Sequence, residues 1–111
     1  MLALGFWVTR PPPSRPFSTE AWKAPDSKEG EWSPRRAMVE DLLRRHPLVG
    51  MQRADVEALL GPPDHEPWSD LYPGAGYELG LPYPGGLGDS DYTPLLLTYD
   101  ARGIVRDVRV F

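Results

Sequence analysis

The chain has 111 residues, the length of a single domain, and its 41% hydrophobic content supports a modest core. Fourteen prolines and eleven glycines indicate that much of it is loop. A formal net charge of −4 without a basic cluster disfavours nucleic-acid binding, because phosphate neutralisation needs clustered Lys and Arg. The absence of cysteine excludes disulfides, a thiol nucleophile and a zinc–thiolate site.

Residues 1–32 are predicted to form an irregular, Pro-rich arm in front of a domain at 33–111. Four prolines within residues 10–16 predict an extended polyproline segment. Such a segment serves either as a stiff tether or as a ligand for an aromatic groove. The aromatic side chains Phe17, Trp22 and Trp32 are expected to pin the arm onto the domain.

The first long helix is expected to begin at Ser33, a preferred capping residue that is followed by Pro34 at the first helical position. It should end at His46, because the residue before a proline avoids the α region. A cation is also favoured at that helix end. The predicted buried stripe consists of Met38, Val39, Leu42 and Leu43, and the predicted i,i+4 ion pairs are Glu40–Arg44 and Asp41–Arg45.

A second helix follows closely, so the two should form a hairpin. Gln52 occupies its N-cap position, where it caps less well than Ser, Thr or Asp. Met51 and Val56 are spaced for a hydrophobic staple. Gly61 suits the left-handed residue that ends a helix, and two prolines after it forbid continuation.

This second helix carries a resemblance to a known family. The residues Leu-Val-Gly-Met-Gln-Arg-Ala-Asp-Val-Glu-Ala-Leu-Leu-Gly-Pro-Pro, at 48–63, resemble the opening of SmpA/OmlA (BamE-like) domains. The matching positions are Gly50, Met51, Val56, Leu59, Leu60, Gly61 and Pro63; Gln52 departs from the usual Ser or Thr. The resemblance covers about residues 48–111, and it implies two helices on a three-stranded antiparallel sheet and a role as an accessory subunit of outer-membrane protein assembly. The chain looks most like small bacterial proteins that place an R-x-x-M-V-x-D-L-L helix before this motif.

The location of the protein stays open at this point. Residues 1–8 are apolar but too short to span a bilayer, and they lack the basic region and cleavage site of a signal peptide. Relatives of this kind are often envelope lipoproteins anchored through a cysteine, which this chain lacks. The chain is therefore expected either in the cytoplasm or in the envelope, the latter through a signal sequence that begins upstream of Met1.

Three segments in the second half are predicted to be strands: 77–81, 94–100 and 104–111. The continuous apolar run from Leu95 to Leu97 indicates a central strand that is covered on both faces for part of its length. Asp100 to Gly103 should form the hairpin turn between the last two strands. The Gly-rich segment 82–93 should be a loop.

Alternation assigns the side chains of the last strand to two faces. Ile104, Val108 and Val110 are assigned to the face covered by the helices. The opposite face is assigned Val105, Asp107, Arg109 and Phe111. The fold class is thus α+β, in the order α-α-β-β-β.

Few residues suggest chemistry. Asp64-His65-Glu66 is a carboxylate–imidazole cluster, but consecutive loop residues diverge in direction, and a solvated turn is the alternative. Asp89 and Asp91 resemble half of a calcium loop that lacks its remaining ligands. No catalytic residue, metal ligand or cofactor is therefore assigned.

Aromatic residues are the stronger indication. Tyr and Trp anchor interfaces because they combine a large contact area with a polar group. They concentrate in the loop-rich half as Trp68, Tyr72, Tyr77, Tyr83 and Tyr92. Two interpretations remain: they cover the sheet of their own domain, or they bind a partner.

The functional expectation is a non-enzymatic protein-interaction or scaffolding module that binds a protein partner through Trp68, Tyr72, Tyr83 and Tyr92. The alternative is a small-ligand or metal-binding protein that uses the acidic loops. A homodimer formed by edge pairing of strands is a further possibility.

Overall fold

The structure is a computed structural model that describes residues 13–24, 33–80 and 93–110. Its helices are α1 (Thr19–Lys23), α2 (Pro34–Arg45) and α3 (Arg53–Leu60), and its strands are β1 (Ala75–Glu78), β2 (Pro94–Tyr99) and β3 (Val105–Val110). The strands form an antiparallel sheet in the order β1-β2-β3. The predicted α+β architecture is confirmed, with a short additional helix, α1, inside the N-terminal arm.

The two long helices begin by different means. The Ser33 hydroxyl accepts the N–H of Arg35 at 3.2 Å, as a capping side chain should. The Gln52 side chain makes no capping hydrogen bond. The start of α3 is instead held by the backbone, since the Arg53 N–H donates to the Gly103 carbonyl at 2.8 Å. Gly61 ends α3 with a φ of +79°, which favours glycine.

The helix α1 fills a place in the core that the sequence analysis had not assigned to a helix. Trp22 is fully buried and belongs to the same apolar cluster as Met38, Val56 and Tyr77. The short helix packs against both α2 and α3. Trp22 and the partly buried Phe17 therefore pin the arm as expected, whereas Trp32 lies outside the described residues.

The central strand is buried on both faces over its first four residues, in agreement with the prediction for part of its length. Leu95 and Leu97 join the helix-covered core, and Leu96, which points the other way, is only 4% exposed. The strand predicted at 77–81 is shifted, since β1 begins at Ala75 and ends at Glu78. Gly80 lies in the range predicted for this strand, but its φ of +97° departs from strand geometry.

The face assignment of Val105 was wrong. Val105 is 1% exposed in the helix-covered core, and it lies opposite Tyr99, whereas Asp107 lies opposite Thr98. Arg106 is therefore an extra residue on β3, and this β-bulge resets the alternation of side chains. Val108 lies opposite Leu97 and packs against the core, as assigned.

The turn between β2 and β3 is confirmed in detail. The Gly103 N–H donates to the Asp100 carbonyl at 3.0 Å, and Gly103 has a φ of +78°. The Asp100 carboxylate accepts the N–H groups of Ile104 and Arg102, which lowers the pKa of this side chain.

None of the helices within the described ranges has the length and apolarity that crossing a bilayer requires.

Candidate protein-interaction surface

The segment between α3 and β1, residues 61–74, is called here the 61–74 loop. It returns along the outer edge of β1 and is fixed to it by backbone hydrogen bonds. The Gly76 N–H donates to the His65 carbonyl at 2.9 Å, and the Asp64 N–H donates to the Gly76 carbonyl at 2.9 Å. The loop is thus bonded to the sheet, and these bonds restrain the backbone that carries the side chains near its tip.

Trp68 lies over Gly76 on the face of the sheet opposite the helices. A Cβ at Gly76 would lie 2.3 Å from Cε3 of Trp68, so only glycine fits beneath the indole. The ring also meets His65 edge-on, with centroids 5.4 Å apart. Trp68 is partly buried, and it covers the face on which Leu96, the neighbour of Gly76 on β2, is also found.

The tip of the 61–74 loop presents an exposed leucine. The Ser69 N–H donates to the Tyr72 carbonyl, and the Tyr72 N–H donates to the Ser69 hydroxyl, both at 3.0 Å. These two bonds close a turn around Asp70 and Leu71. Leu71 is 77% exposed, the highest value among the exposed large apolar side chains of the described residues.

The residues predicted to bind a partner fall into two groups. Trp68 and Tyr72 both lie in the 61–74 loop, where each is partly buried, and they precede and follow the exposed Leu71 in the chain. Tyr83 and Tyr92 lie outside the described residues. Leu71 was missed, although its place among the turn-forming residues Ser69, Asp70, Pro73 and Gly74 indicated that it lies in a loop.

Tyr77, which the sequence grouped with these aromatics, belongs to the core instead. It is fully buried, and its hydroxyl donates to the Gly61 carbonyl at 2.8 Å. Burial raises the pKa of this phenol. Tyr77 therefore connects β1 to the end of α3 and offers no surface to a partner.

Arg35 is the polar centre of the molecule, and sequence reasoning missed it. Its side chain is 6% exposed, and its Nη1 lies 2.6 Å from Oδ2 of Asp64. Its Nε donates to the Trp22 carbonyl at 2.8 Å, and its guanidinium lies 5.4 Å from the centroid of the Trp22 ring. A positive charge in the first turn of a helix is unfavourable, because the N-terminal end of the helix dipole is also positive. The position of Arg35 was therefore the available signal that a negatively charged partner elsewhere in the chain binds it.

The Asp64-His65-Glu66 cluster diverges, as the sequence analysis expected of consecutive residues. Asp64 binds Arg35, His65 Nε2 lies 2.9 Å from Oε2 of Glu78, and Glu66 binds Arg53. In the part of the chain that the structure describes, no three metal-binding side chains converge. Asp89 and Asp91 fall in the range that the structure leaves undescribed.

A second ion-pair cluster lies at the start of α3. The Arg53 guanidinium binds Glu57 at 2.9 Å and forms a bidentate ion pair with Glu66. It also lies 4.7 Å from the centroid of the Tyr99 ring. The hydrogen bonds from Arg53 lower the pKa of Glu66, and those to Glu66 and Glu57 raise the pKa of Arg53. Burial raises the pKa of Tyr99. These groups satisfy one another, which is the arrangement of a structural cluster that ties the 61–74 loop to α3.

Comparison with protein-family models, with curated proteins and with solved structures finds no match.

Proposed function

We propose that this chain is a non-enzymatic protein-interaction module of the SmpA/OmlA (BamE-like) type, and that the 61–74 loop binds the partner. The observation that carries the proposal is Leu71, which is 77% exposed on a closed turn. Leu71 shares the loop with Trp68 and Tyr72, and aromatic side chains of this kind anchor protein interfaces. The resemblance at residues 48–63 supports an accessory role in an assembly of the cell envelope.

The geometry around Leu71 supports this assignment. Trp68 and Tyr72, which precede and follow Leu71 in the chain, are partly buried, so their positions are already restrained before a partner arrives. The turn and the backbone bonds to β1 restrain the loop as well. A restrained apolar group flanked by aromatic side chains loses little conformational entropy on binding, which is how interface hot spots gain affinity.

The test is capture of partners from the source cells with the tagged chain, with envelope and cytosolic fractions kept apart. Leu71→Ser is the test variant, and Val49→Ser is the matched control, since Val49 is also an exposed apolar residue, at 59%, but lies between α2 and α3. A protein that is retained by the wild type and by Val49→Ser but lost by Leu71→Ser is the expected result.

The captured protein is then purified and its affinity measured directly. Leu71→Ser should weaken the complex by at least about tenfold without lowering the melting temperature. Equal binding by Leu71→Ser would contradict the proposed surface. Recovery from the envelope fraction would support the envelope role, and recovery from the cytosol alone would retain the interaction module without it.

A further inference from the structure

The two edges of the sheet differ in how they are covered. The outer edge of β1 is bonded by the 61–74 loop at Gly76. On β3, the described residues outside the sheet bond the first residue: the Gly50 N–H donates to the Val105 carbonyl, and the Val105 N–H donates to the Met51 carbonyl, both at 2.9 Å. No backbone bond from another described segment reaches the outer edge of β3 from Arg106 to Val110.

The side chains on this open stretch have alternating character. Asp107 and Arg109 project from the face opposite the helices, and the Nε of Arg109 lies 3.1 Å from Oδ2 of Asp107. Both are well exposed, with 49% and 60% of the side chain accessible. Val108 and Val110 project from the other face, and Val110 is 39% exposed. An edge strand with exposed apolar side chains is a template for pairing with another strand.

We propose that β3 pairs antiparallel with β3 of a second copy of this chain, with Val108 of both copies at the two-fold axis. The two three-stranded sheets then join into one sheet of six strands. This inference uses a different surface from the 61–74 loop, so it stands or falls independently of the proposed function.

Charge and hydrogen-bond geometry select this register. Along a strand, successive residues direct their backbone N–H and C=O groups to opposite sides. Two residues that face each other across identical antiparallel strands must therefore have residue numbers that differ by an even number. The two-fold axis then passes at a residue and not between two residues. Within the regular stretch 107–109, three residues can lie at the two-fold axis, and each choice is called here a centre. A centre at Asp107 places Asp107 against itself, and a centre at Arg109 places Arg109 against itself.

The centre at Val108 is the register without like charges in opposition. It places Asp107 of each copy directly opposite Arg109 of the other, which gives two favourable cross-strand pairs. It also places the exposed Val110 opposite the bulge residue, Arg106. The paired stretch begins at Arg106, so it does not overlap the residue that Gly50 and Met51 already bind.

The experiment measures molar mass by light scattering across a concentration series. The wild type is expected to dimerise. Asp107→Arg opposes arginines at both cross-strand positions, and Arg109→Asp opposes aspartates, so each variant should raise the dissociation constant by at least about tenfold. An equimolar mixture of the two variants restores opposite charges and should form a heterodimer. The double variant Asp107→Arg/Arg109→Asp should dimerise with itself.

The mixture and the double variant also report on folding, because an unfolded single variant would not recover a defined dimer. Circular dichroism melts of each variant complete this check. A wild type that stays monomeric at every concentration would overturn the proposal and would leave the edge charges with the role of preventing association. A dimer that persists in Asp107→Arg, or a mixture of folded variants that stays monomeric, would overturn it equally.

Discussion

The indole of Trp68 lies so close above Gly76 that a single added methyl group at Gly76 has no space. The distance from such a Cβ to Cε3 of Trp68, 2.3 Å, is well inside van der Waals contact. The contact joins the base of the 61–74 loop to the far face of the sheet, beside the candidate interaction surface. It therefore couples the position of the loop to the identity of one strand residue.

Gly76→Ala should displace the indole and lower the free energy of unfolding by about 1–3 kcal/mol, the usual cost of overpacking. In a Trp68→Ala background, the same substitution should cost much less, because the clashing ring is gone. Denaturant unfolding of the wild type, the two single variants and the double variant measures this coupling in a double-mutant cycle.

Gly103→Ala provides the matched control for that cycle. A Cβ there meets no atom within 4 Å, and the cost comes from the φ of +78° alone. That cost should be the same with and without Trp68. Equal costs of Gly76→Ala in both backgrounds would show that the indole does not restrict Gly76.

Arg35→Ala should destabilise the fold by about 3 kcal/mol, the lower end of the range for breaking a buried ion pair, because Asp64 keeps 33% of its side chain exposed. Arg35→Lys should also destabilise it, since an ammonium group cannot reproduce the planar set of donors that reaches Trp22 and Asp64. Arg45→Ala is the control: its pair with Asp41, at 3.3 Å, is largely exposed on the arginine side, and its loss should cost less than about 1 kcal/mol. Chemical denaturation measures all three, and similar losses at the two positions would contradict the central role of Arg35.

Trp22→Ala should cost about 3–5 kcal/mol, because it empties a fully buried site between α1 and the long helices. Trp22→Phe should cost considerably less, since the Trp22 Nε1 is buried and has no hydrogen-bond partner among the described residues. Glu20→Ala, on the exposed side of α1, should change stability by no more than about 0.5 kcal/mol. Thermal melts compare the three variants, and a stable Trp22→Ala protein would show that α1 is a dispensable attachment.

Asp41 should make stability dependent on acid pH. Its carboxylate accepts the N–H of Phe17 at 2.8 Å and binds Arg44 and Arg45. The Phe17 hydrogen bond, with help from the two arginines, holds the pKa of Asp41 below its usual range in the folded state. Stability from this group is therefore complete above the unfolded pKa of about 3.9 and is lost as the pH falls through the lower, folded pKa.

The variant Asp41→Asn keeps the size of the side chain and an acceptor for Phe17 but removes the charge. The free energy of unfolding of the wild type should exceed that of Asp41→Asn at pH 7, and the difference should shrink below about pH 4. Urea unfolding at a series of pH values measures it. A difference that stays constant from neutral to acid pH would mean that the charge of Asp41 does not stabilise the fold.

Some of the candidate surface could be read from residue types alone. Trp68 and Tyr72 were selected because aromatic side chains in a loop-rich region are typical of interfaces, and both are partly buried residues of the 61–74 loop. Tyr77 was grouped with them on the same grounds, yet it is core, because residue type does not tell which face of a strand is covered. The exposure of Leu71 depends on the turn between Ser69 and Tyr72, which only the folded loop displays.

The sequence by itself determined the features that depend on groups a few residues apart. The start of α2 at Ser33, the end of α3 at Gly61 and the turn at Asp100–Gly103 follow from local hydrogen bonds and from the φ angles that glycine and proline allow. The buried central strand followed as well, because an unbroken apolar run has to be covered on both faces.

Only the tertiary structure decided the features that depend on residues distant in the chain. The bulge at Arg106 directs the Val105 side chain into the core. Arg35 donates hydrogen bonds to Trp22 and Asp64. Trp68 packs over Gly76, a strand position without a side chain. Each of these depends on which segments meet, and a local pattern carries no information about that choice. Packing settles it, because apolar surface is buried and buried polar groups are paired over the whole chain at once.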